Sequence, residues 1–188
     1  EKALITKDAT IREIHHRVKN NLQTVSALLR LQSRRIEDPK ASQALEEAVR
    51  RVASIAIVHE TLSSHSQEIV AFDEVINRIL ANALEVSART NEIEIKRTGE
   101  FGGFPSIIAT PLALVLTELI HNALEHGLVE FGDFLEISVS FHENLCKVSV
   151  IDNGRGVAED FSPETAANLG LQIVKTLTEN ELNGTLTF

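Results

Sequence analysis

Apolar residues recur every three or four positions near the start of the chain, and this repeat constrains the fold more than any other feature. Its members are Ile11, Ile14, Val18, Leu22, Val25 and Leu29. At about 100° per residue, these side chains lie within about ±40° of one direction on a helical wheel. The spacing predicts a long helix over about residues 8–36, with one apolar face that must pack against another element.

Two adjacent histidines take different positions on this helix. His15 lies about 60° from the centre of the apolar stripe, and His16 lies about 160° from it. The wheel therefore places His15 on the flank of the packed face and His16 on the side that faces water. Arg17 and Lys19 make the surroundings basic. An exposed imidazole on a basic helix can attack an anionic substrate, although a histidine in such a position can equally be an ordinary surface residue.

A second amphipathic helix is predicted over about residues 40–64. Asp38-Pro39 separates the two helices, because proline lacks a backbone donor and disfavours helix in the residue before it. Two long helices with a short connection form an antiparallel hairpin, and dimerisation into a four-helix bundle is an economical way to bury their apolar stripes. His59 falls on the apolar face of the second helix, so we expect it to be structural.

A polar linker at Ser63–Gln67 divides the chain into a hairpin, residues 1–66, and a second domain, residues 67–188. Helices grouped with hairpin strands predict a two-layer α+β domain. Its first half is expected to contain a helix over 72–86 capped by Asp73, a strand over 92–97, and a helix that opens at Thr110-Pro111, runs to about Glu125 and ends near Gly127. Its second half is expected to contain strands over about 134–141 and 145–151 joined at H-E-N, a helix over about 169–180, and a strand from Gly184.

Composition limits the classes of protein to consider. The formal net charge of −9 argues against a general nucleic-acid binder. No run approaches the roughly eighteen consecutive apolar residues of a membrane span, and no secretory signal heads the chain. A single cysteine, Cys146, rules out an internal disulfide and a cysteine-based metal site, and its alternation with Val148 and Val150 predicts a core position in a strand. These features fit a reducing, cytoplasmic compartment.

The ends of the chain suggest a fragment. There is no methionine, and the sequence stops at T-L-T-F inside a predicted strand. We therefore expect more protein on both sides and a second domain that is truncated at its C-terminus.

Three features of the second domain carry chemistry. Glu118 and Asn122 are four residues apart on a predicted helix, so they project from one face and offer oxygen ligands of the kind that Mg²⁺ prefers. A strand runs into D-N-G-R-G at residues 152–156, where a carboxylate can accept a bond from an amino group and the glycines let a ligand approach the backbone. Gly170 stands at a predicted helix start, where free N–H groups can face a phosphate. Taken singly, each feature also fits an ordinary helix face or turn.

The order of these features resembles the ATP-binding fold shared by sensor histidine kinases, Hsp90, DNA gyrase and the mismatch-repair protein MutL. The resemblance implies a second domain built as a two-layer α/β sandwich that binds ATP with Mg²⁺. It assigns the metal to Asn122, with Glu118 as a possible helper, and adenine to Asp152 with its glycines Gly154 and Gly156. It assigns the phosphates to Gly170.

The N-terminal sequence H-H-R-V-K-N-N-L-Q is similar to the phosphoacceptor box of one group of bacterial histidine kinases, related to the HWE kinases, whose box contains H-R-V-K-N. T-E-L-I-H-N-A-L-E-H-G and L-G-L-Q-I-V-K-T-L are also similar to that group's ATP-site sequences, which adds His126 and Leu171 to the expected nucleotide-binding residues. In this pattern the phosphorylated residue is the histidine before arginine, which is His16.

The resemblance implies ATP-dependent autophosphorylation of His16 and relay of the phosphoryl group to an aspartate on the receiver domain of a response regulator. Arg17 and Asn20 are expected to steady the phosphoryl group. The implied protein is a homodimer with an upstream sensor domain. Two positions depart from the family pattern: Glu125 stands where lysine is frequent, and Arg17 stands where many histidine kinases carry a proton-accepting acid. Glu118 and Glu13 remain the alternatives for that base.

A rival hypothesis is a catalytically weak, nucleotide-sensing dimerisation scaffold that binds ATP without transferring phosphate. Glu125 and Arg17, the two departures from the family pattern, would suit such a scaffold. An ATPase machine like Hsp90 or gyrase fits less well, because those proteins lack the histidine hairpin.

Overall fold

The N-terminal part of the chain is an antiparallel helical hairpin, as the sequence predicts. A computed structural model describes residues 2–64, 69–86, 92–128, 132–143, 145–157 and 169–188. In it, helix α1 spans Lys2–Ser33 and helix α2 spans Pro39–Ser64. Three residues of the expected linker, 65–67, lie outside the described residues.

The turn of the hairpin corrects one predicted boundary. Helix α1 ends at Ser33 and not near residue 36. Ser33 is buried, and its hydroxyl lies 3.1 Å from the Ser42 hydroxyl of α2, so the chain already turns there. Asp38 begins the second helix as its N-cap, because its Oδ1 accepts the Lys40 N–H at 3.0 Å while Pro39 occupies the first helical position.

The second domain begins with a short strand and a core helix. Strand β1, Ile69–Ala71, pairs antiparallel with β3, Gly103–Pro105, a two-stranded sheet that the sequence analysis missed. Helix α3 spans Phe72–Val86, as predicted. The N-cap role expected for Asp73 was wrong, since this residue lies inside the first turn of α3. Its carboxylate accepts the backbone N–H groups of Phe101 and Gly102, at 3.2 and 2.8 Å, and so ties α3 to the segment before β3.

A three-stranded sheet forms the second layer. It contains β2, Glu94–Thr98, β4, Phe134–His142, and β5, Leu145–Asp152, in the order β2-β4-β5. Strand β4 is parallel to β2 and antiparallel to β5, with His142 opposite Leu145 at the predicted hairpin. The core position expected for Cys146 was wrong. The alternation with Val148 and Val150 is correct, and those two valines pack on the core, but β5 extends beyond the core and leaves Cys146 exposed.

Helix α4 crosses the middle of the domain and corrects a second boundary. It begins at Ser106, so Thr110-Pro111 does not open it and Pro111 lies inside it. The proline removes one backbone bond, but the earlier start buries Ala109 completely. The helix ends at Asn122 and continues into a wide turn, Ala123–Gly127, closed by the Leu128 N–H on the Ala123 carbonyl at 2.8 Å.

The stretch Ser106–Gly127 comes closer to a membrane span than the sequence analysis suggested. It is long and apolar enough to cross a membrane by length and composition. In this fold it serves as a core helix, because its buried residues, among them Ala113, Leu116 and Ile120, lie inside the domain.

The last elements are helix α5, Leu169–Thr176, and a second wide turn, Leu177–Glu181. They match the helix predicted over about 169–180. The strand expected from Gly184 was wrong: the Gly184 N–H still donates to the Thr178 carbonyl at 2.8 Å, and residues 184–188 pair with no strand in the described part of the chain. A strand exists only where a neighbouring strand accepts its backbone bonds.

The hydrophobic core lies between the helices and the sheet, which confirms the two-layer α+β prediction. Its largest fully buried side chains include Phe72, Ile76, Leu116, Ile120, Leu135 and Ile137. The same cluster contains Val58 and Leu62 of α2, so the second domain itself covers part of the hairpin's apolar surface. Helix α1 has less cover, and Ile14, Val25, Leu28 and Leu31 each remain 43% or more exposed.

Candidate functional site

The two histidines of α1 lie where the helical wheel places them. His16 is exposed on α1. His15 is half-buried against α2, with its Nδ1 3.0 Å from the Nδ1 of His59 and their ring centroids 5.3 Å apart. His59 is therefore a partner of His15 in the hairpin seam. Of the two neighbouring imidazoles, His16 is the exposed one.

Charged residues around His16 are already paired. Arg17 Nε lies 2.7 Å from Glu13 Oε1 on the exposed side of α1, so this candidate base is engaged by an arginine one turn away. Lys19 Nζ bonds to Glu60 Oε1 of α2 at 2.7 Å, and Arg78 of α3 holds the other oxygen of that carboxylate. The hydrogen bond from Lys19 is the largest cause of a lowered pKa of Glu60. The ion pair between Lys19 and Glu60 therefore joins α1 to α2.

The histidine pair makes the stability of the fold depend on pH. Burial lowers the pKa of His59 below its ordinary value of 6.5, and the charge of His15 lowers it further. His59 therefore binds fewer protons in the folded than in the unfolded protein, and the free energy of unfolding falls as pH drops below about 6.5. We expect a lower urea midpoint at pH 5.5 than at pH 7.5, a window above the range where carboxylates protonate.

His59→Gln is the matched variant for this effect, since glutamine does not titrate. Its urea midpoint should change less between the two pH values. An equally large change would mean that His59 does not cause the dependence.

Asp152 lies at a corner of the second domain, where backbone contacts join the end of β5 to the turn after α4. Asp152 ends β5, and its Oδ1 accepts the Gly154 N–H at 3.0 Å. The next N–H, that of Arg155, donates to the Gly127 carbonyl at 3.2 Å. The D-N-G turn therefore packs directly on the wide turn that follows α4. Asp152 Oδ2 makes no hydrogen bond within the described part of the chain, which leaves an oxygen of this half-buried residue able to accept a ligand's N–H.

Gly127 is a site residue whose role the sequence analysis missed, since it was noted only as a helix end. A Cβ there would lie 2.7 Å from Asp152 Oδ1, and a Cβ at Gly154 would lie 2.1 Å from the Gly127 carbonyl oxygen. Asn153 was also read only as a turn residue. Its Oδ1 accepts the N–H groups of Asp133 and Phe134, both at 2.9 Å, and ties the turn to the start of β4. Long-range packing of this kind leaves no local sequence signal.

Gly154→Ala is expected to destabilise the domain by about 3 kcal/mol, because a backbone carbonyl at such a distance cannot be relieved by a change of rotamer. Gly156→Ala is the matched comparison. Gly156 has a positive φ of 68° but nothing within 4 Å of the added Cβ, so only the cost of that conformation, about 1 kcal/mol, is expected. Urea unfolding of both variants measures the difference, and equal losses would contradict the close approach.

Asn122 and Glu118 share a face of α4, but their surroundings differ. Asn122, the last residue of α4, is half-buried, and its Nδ2 has no hydrogen-bond partner in the described part of the molecule. A buried amide N–H group without a partner is costly and fits a residue that donates to a ligand. Glu118 is 7% exposed, and both of its oxygens bond to Arg51 of α2, at 2.7 and 3.1 Å.

Gly170 and Leu171 lie in the first turn of α5, where both are buried. The segment before them, 158–168, lies outside the described residues. His126 is exposed in the wide turn after α4, and Asn20 is exposed on α1.

A cavity of about 200 Å³ lies elsewhere, between α2, α3 and α4, and Asn122, Asp152 and Gly154 do not line it. His121 does line it, and burial lowers the pKa of this imidazole.

Two family descriptions match successive parts of the chain, and the first match extends beyond the hairpin through α3. Residues 13–87 match the family described as histidine kinase, and residues 107–188 match the family described as histidine kinase-, DNA gyrase B-, and HSP90-like ATPase. The Asp38 turn and both histidines fall within the first match. Asn122, Asp152 and Gly170 fall within the second.

Individual relatives are named as histidine kinases. The chain is 48% identical over 188 residues to the sensor histidine kinase PdtaS of Mycobacterium tuberculosis, which covers 99% of this chain and 38% of that protein. It is 27% identical to blue-light-activated histidine kinase 2 of Erythrobacter litoralis, over 95% of this chain and 54% of that protein. The chain thus spans about two fifths of the length of PdtaS.

Among solved structures, the histidine kinase domain of the Erythrobacter litoralis EL346 blue-light activated histidine kinase is similar in fold. The TM-score is 0.63 at 24% sequence identity, and the match covers 95% of this chain and 84% of that chain.

Proposed function

This chain belongs to the sensor histidine kinases, and we propose that it transfers the γ-phosphoryl group of ATP to His16 and then to an aspartate of a response regulator. This proposal rests on the different surroundings of the two neighbouring imidazoles. His15 is engaged with His59 across the hairpin, whereas His16 faces water on a rigid helix. A nucleophile must be accessible to its substrate, and His16 meets that condition.

In the proposed transfer, the unprotonated ring nitrogen of His16 attacks the γ-phosphorus. An N–P bond forms as the bond from that phosphorus to the β-γ bridging oxygen breaks, and ADP leaves with the electron pair. The proton on the other ring nitrogen is released to a base. Such transfers depend mainly on positioning and on neutralising charge. Arg17 and Asn20, both exposed beside His16, are proposed to hold the phosphoryl oxygens.

The nucleotide is proposed to bind at the corner between α4 and β5. Asp152 would accept a hydrogen bond from the amino group of adenine, because one of its oxygens is bonded to the Gly154 N–H and the other makes no hydrogen bond among the described residues. The buried N–H groups at the start of α5, around Gly170 and Leu171, would face the phosphates. His126, exposed in the wide turn after α4, would lie at the edge of this site.

Mg²⁺ is proposed to accompany ATP. The side-chain oxygen of Asn122 would be a metal ligand, with Glu118 one turn earlier on α4. When bound, Mg²⁺ supplies positive charge to the phosphates. This chain's residues hold the nucleotide and present the acceptor.

The partners follow from the same proposal. The half-exposed apolar side chains of α1, including Ile14 and Leu28, support a homodimer that completes a four-helix bundle. A sensor domain in the longer protein and the receiver domain of a response regulator are the proposed input and output. We place the protein in the cytoplasm.

The test is to incubate the protein with γ-labelled ATP and Mg²⁺. We expect label that is lost in acid and stable in base, as phosphohistidine is, and that moves to an added receiver domain. ATP binding without such label would instead support a nucleotide-sensing scaffold.

A further inference from the structure

The hairpin and the ATP-binding domain are joined by a buried ion pair. Arg51 of α2 reaches α4, where its Nε lies 2.7 Å from Glu118 Oε1 and its Nη2 lies 3.1 Å from Oε2. The Arg51 side chain is 16% exposed and that of Glu118 is 9% exposed. Two parallel charge-assisted bonds in a mostly dry setting make this a strong and directional contact. Glu118 is therefore neutralised while the two parts are docked.

The electrostatics of Arg51 agree with this geometry. Burial alone would lower the pKa of the Arg51 guanidinium, but the hydrogen bonds and charges of Glu118 and, to a smaller extent, Glu47 together outweigh it, and the pKa lies above its ordinary value. Arg51 also has a second partner on its own helix, since its Nη2 lies 3.4 Å from Glu47 Oε2. If α2 moved away from α4, Arg51 would keep an anion beside it. Glu118 would lose its cation.

Glu118 stands one helical turn before Asn122 on α4. The two side chains lie on one face of α4, and carboxylate plus carboxamide oxygens suit Mg²⁺. A carboxylate held by a bidentate guanidinium is a weaker metal ligand, because its charge is already neutralised and each oxygen already accepts one strong hydrogen bond. Arg51 and a nucleotide-bound cation would therefore need the same two oxygens.

We propose that Arg51 is a positioning residue that competes with nucleotide-bound Mg²⁺ for Glu118. This inference rests on the proposed ATP site. Because coupling between two binding events is reciprocal, whatever weakens the Arg51–Glu118 pair strengthens Mg²⁺-dependent ATP binding, and binding of Mg²⁺ with ATP weakens the docking of the hairpin. The pair thus links nucleotide occupancy to release of the hairpin, whose other helix carries His16.

The first test measures ATP binding by calorimetry, with Mg²⁺ and separately with EDTA. Arg51→Met is expected to tighten binding in Mg²⁺ about tenfold and to leave binding in EDTA unchanged. The double variant Arg51→Met/Glu118→Gln should lose the gain, because the freed carboxylate is gone. Arg50→Met is the matched control, since Arg50 is the neighbouring arginine of α2 and makes no salt bridge in the described part of the chain.

The second test uses the protein with Arg51 in place. Cys146 is exposed on β5 and is the single cysteine, so it can carry one label. The substitution Gln23→Cys, at an exposed position of α1, provides the site of the second label. The two labels report the distance between the hairpin and the second domain. ATP with Mg²⁺ should change that distance, and ATP with EDTA should not.

Unchanged or weaker Mg²⁺-dependent binding in Arg51→Met, or equal effects with and without Mg²⁺, would overturn the competition. The outcome is separate from that of the phosphotransfer proposal. Binding competition without any phosphohistidine would refute the proposed activity alone, and phosphohistidine without competition would refute this inference alone.

Discussion

Replacing His16 with glutamine is expected to reduce ATP-dependent phosphorylation of the chain by about 10³-fold or more, to background. Glutamine keeps a polar side chain of similar length but has no nucleophilic ring nitrogen. Because His16 is exposed on α1 and joins no core contact, the substitution should leave the fold and ATP binding unchanged. Acid-labile label, quantified after incubation with γ-labelled ATP, measures the loss.

His15→Gln is the matched control for this experiment. It changes the neighbouring residue, removes the contact with His59, and leaves the proposed acceptor in place. We expect phosphorylation within about threefold of the unaltered protein, because the loss is one hydrogen bond in the hairpin seam. Label that survives His16→Gln and disappears with His15→Gln would reverse the assignment.

Asp152→Asn is expected to weaken ATP binding about 10- to 100-fold while the domain stays folded. A hydrogen bond to a charged group contributes about 1.5–3 kcal/mol, and about 1.4 kcal/mol corresponds to tenfold in affinity. The asparagine oxygen can still accept the Gly154 N–H, so the turn is preserved. Its amide group then faces the adenine amino group, which places two donors together. Calorimetry with a non-hydrolysable ATP analogue gives the affinity.

Asp133→Asn serves as the control for the change of charge. Asp133 lies at the same corner, where its Oδ1 accepts Asn153 Nδ2 at 3.0 Å, but it is not an expected adenine contact. Its substitution should change affinity by less than about threefold, since an exposed polar contact contributes little. Equal losses in both variants would indicate a general electrostatic effect and not recognition of adenine.

Periodicity was sufficient to predict the hairpin and the position of each histidine on α1. The apolar repeat from Ile11 to Leu29 has a helical period, and the wheel separated His15 from His16. Strands β4 and β5 were equally accessible, because alternation and a turn sequence are local signals. These features depend on residues close together in the chain.

Features that depend on distant residues were missed. Thr110-Pro111 is a strong local start signal, yet burial of Ala109 in the core extends α4 to Ser106. Asp73 looks like an N-cap, but its partners are almost thirty residues away, at Phe101 and Gly102. The same is true of the candidate site, where Glu118 was assigned from its spacing to Asn122.

The partner of Glu118, Arg51, lies on a different domain. No local pattern predicts which of the arginines on α2 reaches α4, and that choice decides whether the carboxylate is free. Helical spacing therefore gave the correct face of α4. It did not give the electrostatic state of the side chain on that face.

Mapping the phosphorylated residue by mass spectrometry tests the central claim most directly. The unaltered protein is treated with ATP and Mg²⁺ and kept at neutral or alkaline pH, so that phosphohistidine survives. We predict one phosphoryl group, on residue 16, in a peptide that also contains an unmodified His15. Phosphate on His15 or on any other residue, or none on a protein that binds ATP, would contradict transfer to the exposed imidazole of α1.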